Sequence, residues 1–157
     1  MITIRHSTFE TNSSSTHSIT MCTDSDFNRW KKGELFFCGD DGKFYDEAGR
    51  YDKIRKLILK SKIKYNYNEE NGSITDYIYK GVTVSFSKME ELMTKENLDE
   101  IKDDEIMAFI DEEKGFTTIP LSYDDYWDTI EFETYEENFT TPKGEKIVAF
   151  GYYGEDR

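Results

Sequence analysis

Proline, alanine and cysteine are all scarce in this chain of 157 residues. It has two prolines and two cysteines, and alanine occurs only at positions 48, 108 and 149. No apolar run approaches the ~20 residues that a membrane-spanning helix needs, and the N-terminal Met-Ile-Thr-Ile-Arg lacks the apolar stretch of a secretory signal. We therefore expect a soluble, cytoplasmic protein.

The two cysteines, Cys22 and Cys38, lie 16 positions apart and form no CxxC pattern. In a cytosolic protein this predicts two reduced, buried thiols, although a disulfide stays open. His6 and His17 add suitable atoms for a metal, but the spacing is that of no known metal motif. We therefore expect no metal and no cofactor.

Aromatic residues supply most of the bulk for a core. Hydrophobic residues are 36% of the chain, but 11 Phe, 11 Tyr and 2 Trp are present. Each buried aromatic side chain removes about 150–250 Å² from water. The length is typical of one domain, and neither a repeat nor a linker interrupts it.

Hydrophobic periodicity and turn residues predict a mixture of strands and helices. Strand patterns lie at residues 2–5, 18–22, 35–38, 63–67, 74–79, 82–86, 130–133 and 146–153, with a polar loop over 10–18. Helical patterns lie at 24–32, 50–61, 87–96 and 98–114, with a short turn at 123–128; Thr23 and a Ser87–Glu90 capping box mark two helix starts. We predict a single α+β domain over 1–157, with one antiparallel sheet of about five to seven strands and about three helices.

Negative charge is concentrated in one segment. Residues 87–137 hold 18 Asp and Glu against 4 Lys, a net charge of −14, whereas the rest of the chain is near neutral and the total is −13. Charge distributed this unevenly repels itself. It therefore suggests a surface that is kept for a positively charged partner.

A helical wheel for 98–114 places the carboxylates on one side and the apolar side chains on the other. The carboxylates belong to Asp99, Glu100, Asp103, Asp104 and Asp111, and the apolar side chains to Ile101, Ala108 and Phe109. One interpretation is a solvated face that keeps the protein soluble. The other is a docking surface that presents carboxylates where a basic partner expects phosphates.

Asp124, Asp125, Tyr126 and Asp128 extend the candidate partner-binding set, because aromatics beside acids are typical interface anchors. Tyr126 and Trp127 are alternatively core residues.

A basic stretch precedes the acidic segment. It comprises Arg50, Lys53, Arg55, Lys56, Lys60, Lys62 and Lys64 around Ile54, Leu57 and Ile58. The pI near 4.6 argues against direct nucleic-acid binding. The stretch therefore pairs with the acidic segment, is simply solvated, or makes the molecule bipolar and prone to self-association.

The polar segment at 11–18 is a candidate anion site. Its possible ligands are Arg5, Ser13, Ser14, Ser15, Thr16 and His17. The segment lacks the glycines and lysine of a phosphate loop, and its hydroxyls can instead bind their own backbone. No elbow motif frames a nucleophilic serine, so catalysis is not expected.

The N-terminal Phe9-Glu10-Thr11-Asn12-Ser13-Ser14-Ser15-Thr16-His17-Ser18 resembles a signature of small uncharacterised proteins from low-GC Gram-positive bacteria and their phages. Trp30-Lys31-Lys32-Gly33-Glu34-Leu35 and Val148-Ala149-Phe150-Gly151-Tyr152-Tyr153-Gly154 are similar to further parts of that pattern. Together they cover about a quarter of the chain. The resemblance implies a phage or mobile-element setting and assigns no residue a role.

These patterns predict a non-enzymatic inhibitor that binds a basic, nucleic-acid-handling host protein. An RNA-guided CRISPR nuclease is the sharpest candidate partner, because such nucleases hold their duplexes in a positively charged channel. The alternatives are a nucleotide- or phosphate-binding protein, or a small enzyme, that uses the polar segment at 11–18, and an interaction protein of the phage particle.

Overall fold

The computed structural model describes residues 5–11, 15–94 and 98–155 and confirms the α+β class. In chain order the elements are β1 (Arg5–Thr11), β2 (Ser15–Thr23), α1 (Asp24–Lys31), β3 (Phe36–Cys38), β4 (Lys43–Tyr45), α2 (Glu47–Lys62), β5 (Lys64–Tyr67), β6 (Ile74–Tyr79), β7 (Val82–Val84), α3 (Phe86–Leu92), α4 (Asp103–Glu113), α5 (Tyr123–Asp128), β8 (Glu133–Thr140) and β9 (Lys146–Glu155). The strands form three antiparallel sheets rather than the predicted one.

Internal contacts divide the chain into two units. The first unit contains residues 1–50 and 113–157, and the second contains residues 51–112.

The first unit is built on a four-stranded sheet with the strand order β1-β2-β9-β8, beside the β3-β4 hairpin. The polar loop predicted over 10–18 is wrong for its described part, since β1 reaches Thr11 and β2 begins at Ser15; residues 12–14 lie outside the described residues, as do residues 1–4. Ser18, Thr20 and Cys22 alternate along β2 and are fully buried. The two-residue period of the strand, rather than polarity, therefore decides the structure here.

Aromatic side chains fill the core of the first unit. Trp30 is fully buried on α1, and its ring lies 5.4 Å from Phe37, 5.4 Å from Tyr126 and 5.1 Å from Phe150. Its indole Nε1 donates to Leu121 O at 3.1 Å. The predicted cap is confirmed, because Thr23 Oγ1 accepts from Asp26 N at 3.1 Å and starts α1.

The second unit contains most of α2, the three-stranded sheet β5-β6-β7, α3 and most of α4. Its buried side chains are aliphatic: Ile54, Ile58, Leu59, Leu98, Ile101, Ile106 and Ile110. The continuous helix predicted over 98–114 is wrong, because turn and irregular backbone over 99–102 precedes α4. The capping prediction at Ser87 is also wrong: Ser85 is the cap and accepts from Lys88 N at 3.2 Å.

Both cysteines are free and buried, so the prediction of buried thiols is confirmed. Burial, with a smaller contribution from Asp26 and Asp24, raises the pKa of Cys22 to about 12. Cys38 Sγ donates to the carbonyl oxygens of Thr117 and Thr118 at 3.5 and 3.6 Å. Within the described ranges, no helix combines the length and apolar character that a bilayer crossing requires.

Candidate interaction surfaces

The acidic segment at 87–137 is divided between the two units. Residues 87–112, in the second unit, hold ten acids and three lysines; residues 113–137, in the first, hold eight acids and one lysine. Each part therefore carries a net charge of −7. The segment is continuous in sequence, but its two halves belong to different units.

In the second unit, only some of the carboxylates predicted to share one side of a helix do so. Glu100 precedes α4 and does not share a helix with Asp104 and Asp111. Asp104 and Asp111 are seven positions apart on α4, so they lie on one stripe of that helix. Ile106 and Ile110 form its buried side, whereas Ala108, which the helical wheel placed opposite the carboxylates, is exposed.

An exposed methionine sits within this carboxylate stripe. Met107 is 50% exposed, although methionine is usually buried. Asp103, Asp104 and Asp111 lie four and three positions before it and four after it, so they are its neighbours on the helix surface. Met107 is not among the site residues predicted from the sequence. Met107 lies three positions before Ile110, at the margin of the buried side, so the sequence pattern does not show that it is exposed.

Basic residues neutralise one end of α4. Arg55 Nη2 lies 3.7 Å from Asp103 Oδ1, and Lys62 Nζ lies 3.1 Å from Glu105 Oε2. Of the alternatives left open for the basic stretch, pairing with the acidic segment is therefore observed at the first turn of α4. Asp103 is nevertheless 86% exposed, and such surface pairs contribute at most about 1 kcal/mol each.

The other acids of this region remain open to solvent. Asp104, Asp111 and Glu112 are exposed and form no ion pair with any residue of the described ranges. Glu100 pairs with Lys80, at 3.6 Å. Acids in the first turn also favour α4 itself, because carboxylates stabilise the positive end of the helix dipole. That explains Asp104 but not Asp111 or Glu112, which lie near the opposite end.

In the first unit, α5 presents acids but buries its aromatic residue. Ser122 caps the helix by accepting from Asp125 N at 3.2 Å. Asp124 and Asp128 are exposed, and Asp125 is half-buried. Tyr126 is only 1% exposed and packs against Trp30, so the expectation that it anchors a partner is corrected: it is a core residue. Burial raises the pKa of Tyr126 far above its usual value.

Tyr123 joins α5 to the edge strand β8. Its hydroxyl donates to Glu136 Oε1, and its ring lies 5.0 Å from Trp30. Burial, followed by the hydrogen bond to Glu136 and the charge of that carboxylate, raises the pKa of Tyr123 to about 12. Glu136, an acid of the segment 87–137, therefore takes part in a hydrogen bond that links α5 to β8.

The anion site expected near the N-terminus falls only partly within the described residues and stays a prediction. Ser15, Thr16 and His17 pair with Glu155, Gly154 and Tyr153 of β9, so their backbone belongs to a sheet ladder rather than to a phosphate-binding loop. Arg5 of β1 pairs with Met21, four positions from His17, or about 13 Å along the strand. Ser13 and Ser14 lie outside the described residues.

His17 is exposed, and its ring lies 5.7 Å from that of Tyr153. Within the described part of the chain, no acidic or nucleophilic side chain is seen to contact His17.

The three-stranded sheet carries an aromatic surface that was not predicted from the sequence. Strand pairing places Tyr65 opposite Tyr77 and Tyr77 opposite Val84, and pairs Tyr79 with Val82. Opposed residues share a face, and the rings of Tyr65 and Tyr67 lie 6.3 Å apart. We call this set the aromatic face: Tyr65, Tyr67, Tyr77, Tyr79, Val82, Val84 and the adjoining Phe86, whose ring lies 6.4 Å from Tyr77.

Four members of the aromatic face are largely open to solvent: Tyr65 at 57%, Tyr67 at 56%, Val82 at 61% and Phe86 at 59%. The sequence signal was the alternation of tyrosines at 65 and 67 and again at 77 and 79. It predicts the strands but does not say whether anything covers their face.

No group of three or more His, Cys, Asp or Glu side chains in the described part of the chain is arranged to hold a metal ion. Comparisons with family models, with curated proteins and with solved structures found no match to this chain.

Proposed function

We propose that this chain is a non-enzymatic binding protein of phage or prophage type. Its acidic surface on α4 docks on a basic, nucleic-acid-handling protein of the host cytoplasm and inhibits it. An RNA-guided CRISPR nuclease is the first partner to test, because its duplex-binding channel is positively charged.

The observation that carries the proposal is the arrangement around Met107. An apolar side chain that is 50% exposed lies among Asp103, Asp104 and Asp111 on one helix surface. Interfaces combine a central apolar anchor with charges that select the partner. A face that served only solubility would need the carboxylates but not the methionine.

Ion pairs within the second unit reduce the number of carboxylates that can take the place of phosphates. Arg55 and Lys62 already engage Asp103 and Glu105, so these two acids are partly neutralised before a partner arrives. The partner's cations therefore meet Asp104, Asp111 and Glu112, and we expect these three residues to dominate the electrostatic contribution to binding.

The acids of α5 and β8 give less support to the proposed docking. Asp124 and Asp128 are exposed, but Tyr126 is buried beneath them and supplies no apolar contact surface. Acidic side chains on an edge strand also have a separate explanation, because charge there prevents edge-to-edge pairing with other chains.

The test is a charge reversal with a control that changes the net charge equally. Asp104→Lys with Asp111→Lys changes the acidic surface; Glu69→Lys with Glu70→Lys changes exposed acids in the β5-β6 turn by the same amount. Binding to a purified Cas9-type nuclease with its guide RNA, and inhibition of its DNA cleavage, are measured for both variants and the parent.

We expect the Asp104/Asp111 variant to bind at least about tenfold more weakly, a loss of roughly 1.4 kcal/mol, and the control to bind like the parent. Met107→Ala should also weaken binding. Equal loss in both double variants would reduce the effect to net charge, and parental binding by the Asp104/Asp111 variant would refute docking through α4. If the nuclease is not bound by the parent, a panel of basic nucleic-acid-binding host proteins takes its place, and no binding across the panel overturns the proposal.

A further inference from the structure

We propose that the outer side of the four-stranded sheet is a docking surface for a basic amphipathic helix of a partner protein. We call it the outward face: the side of β2, β9 and β8 that carries Ile19, Tyr153 and Glu137. It belongs to the first unit, and the proposal does not depend on the function of the acidic surface on α4. It depends on the apolar side chains of β2 and β9, the carboxylates of β8 and the spacing of the strands.

Strand β2 places its more apolar side chains on the outward face. The residues of β2 that point to the core are small or polar, and they are fully buried: Ser18, Thr20 and Cys22. Ile19 and Met21 alternate with them and point outward, and Ile19 is 41% exposed. An antiparallel sheet with one open face normally has apolar residues inside and polar residues outside. The composition of β2 therefore indicates that its outward face is also meant to be covered.

Strand β9 is apolar on both faces. The run from Ile147 to Tyr153 contains no charged residue. Val148 and Phe150 point to the core and are buried, whereas Tyr153, on the outward face, is 42% exposed. A continuous apolar run is typical of a strand that is covered on both sides. In β9 the outward side is left open at Tyr153.

Helices of the first unit pack on the inner face of this sheet. The rings of Phe27 on α1 and Tyr126 on α5 lie 5.6 and 6.5 Å from that of Phe150. A helix on the outward face would complete a second layer, which is a common arrangement of helices and sheets.

Carboxylates lie along one side of the outward face. Strand pairing places Glu133 opposite Tyr153 and Glu137 opposite Ala149, so both glutamates of β8 share this face. Both are exposed, and neither forms an ion pair with a residue of the described ranges. A hydrogen bond to Glu133 raises the pKa of Tyr153, but a carboxylate has further lone pairs for a cation. Protection of an edge strand explains the glutamates but not the exposed apolar residues of the interior strands.

Charge complementarity selects a basic occupant. Among the described side chains of the outward face, His17 is the one that can carry a positive charge. Nucleic acid, an anionic membrane and a second copy of this chain are all negatively charged, so Glu133 and Glu137 oppose each of them. Lys or Arg of a basic partner would meet these carboxylates, while its apolar side chains cover Ile19 and Tyr153.

The spacing of the strands fits a helix. Adjacent strands lie about 4.8 Å apart, so β2 and β8 flank β9 at a separation of about 10 Å. An α-helix with its side chains is about 10–12 Å in diameter. The outward residues from Ile147 to Tyr153 span about 20 Å, which is the length of a helix of about 13 residues. Amphipathic helices bind through their apolar side in this way.

The experiment measures the binding of labelled peptides to the full chain by fluorescence anisotropy. The probe has about 13 residues, with Leu at the i, i+3, i+4 and i+7 positions of a helix and Lys elsewhere. One control peptide has Glu in place of Lys, and another has Pro at its centre, which breaks the helix. We expect the probe to bind and both controls to bind at least tenfold more weakly. No binding of the probe, or equal binding of the proline peptide, overturns the proposal.

Two phenylalanines of the first unit locate the contact. Phe139 lies on the outward face opposite Ile147 and is 46% exposed, whereas Phe116 is 59% exposed and lies outside the sheet. Phe139→Ser should weaken binding of the probe at least tenfold, and Phe116→Ser should leave it unchanged. Equal effects refute the proposal. Circular dichroism checks each fold, and Ile19→Thr, on a different strand of the same face, decides the case if Phe139→Ser does not fold.

Charge reversal separates this surface from the one on α4. Glu133→Lys with Glu137→Lys should weaken binding of the probe at least tenfold, and Glu69→Lys with Glu70→Lys, which changes the net charge equally, should not. If Asp104→Lys with Asp111→Lys abolishes binding and the Glu133/Glu137 variant keeps it, the peptide docks on α4 and the proposal is wrong. Sedimentation of the parent as a dimer that Phe139→Ser dissociates would make the occupant a second copy and would overturn the proposal too.

Discussion

The two larger sheets of this protein differ in whether their strands contribute buried residues. Along β2 of the four-stranded sheet, buried Ser18, Thr20 and Cys22 alternate with exposed or half-buried residues. In β5, β6 and β7 every residue is exposed or half-buried. The three-stranded sheet holds Tyr65, Tyr67, Tyr77 and Tyr79, none of which is buried, so aromatic content alone does not identify the strands that form a core.

The difference lies in what packs on each sheet. In the first unit, rings from several elements converge on Trp30, among them Phe37 of β3, Tyr126 of α5 and Phe150 of β9. In the second unit the buried side chains are aliphatic and come from helices and from residues 98–101. A three-stranded sheet is stable on its own only with an apolar face to pack. The aromatic face has the composition for such packing and is left exposed.

Replacing one aromatic residue in each unit tests this comparison, and we expect it to give the largest change in the free energy of unfolding. Trp30→Ala should lower the free energy of unfolding by about 3–5 kcal/mol, because it leaves a cavity among packed rings and removes the hydrogen bond to Leu121. Phe86→Ala, at 59% exposure, should cost less than about 1 kcal/mol. Urea unfolding followed by circular dichroism at low protein concentration measures both, and similar losses for the two variants would contradict the assignment of core and surface.

A glycine in the four-stranded sheet should give the next largest effect. A Cβ atom at Gly151 would lie 2.0 Å from Ser18 O and 2.9 Å from the Tyr135 hydroxyl, which donates to that same oxygen at 2.6 Å. Gly151→Ala therefore forces β2 and β9 apart, and we expect it to cost about 2–3 kcal/mol.

Gly115→Ala is the control for this substitution, because a Cβ atom there meets nothing within 4 Å and the backbone φ is not positive. It should change the free energy of unfolding by less than about 0.5 kcal/mol. A Gly151→Ala variant as stable as the parent would show that the strands pack less closely than the structure has them.

Local patterns predicted the elements better than their assembly. The Thr23 cap and the strands near 64–67, 74–79 and 82–84 follow from periodicity and turn residues, which act within a few positions. Which strands join one sheet depends on pairings between distant residues, such as Cys22 with Val148, that no local pattern encodes. The loop predicted over 10–18 was wrong for a related reason. β-branched and hydroxyl side chains are compatible with a strand once β9 lies beside it.

The acidic site was predictable in composition but not in geometry. The helical wheel joined Glu100 to Asp111 because it assumed one helix, whereas the chain turns before Asp103. Tyr126 looked like an interface anchor because a sequence shows aromatic residues beside acids but not what lies beneath them. The aromatic face was missed for the same reason, since exposure is a property of the assembled chain.

Alkaline pH should give the smallest effect and acts on the first unit. The pKa of Tyr123 is raised to about 12 from the ordinary 10.0 by burial and by Glu136, so the folded protein keeps this proton when the unfolded chain has lost it. The contribution to stability is therefore complete below pH 10 and is lost as the pH rises from about 10 to about 12. Tyr123→Phe keeps the ring and removes the titration, so urea unfolding over this range should show a shallower fall in stability than in the parent. If stability fell equally steeply with pH in both proteins, the hydrogen bond from Tyr123 to Glu136 would not be the link between α5 and β8. That result would also weaken the contrast between a first unit held by buried aromatic contacts and a second unit whose tyrosines face outward.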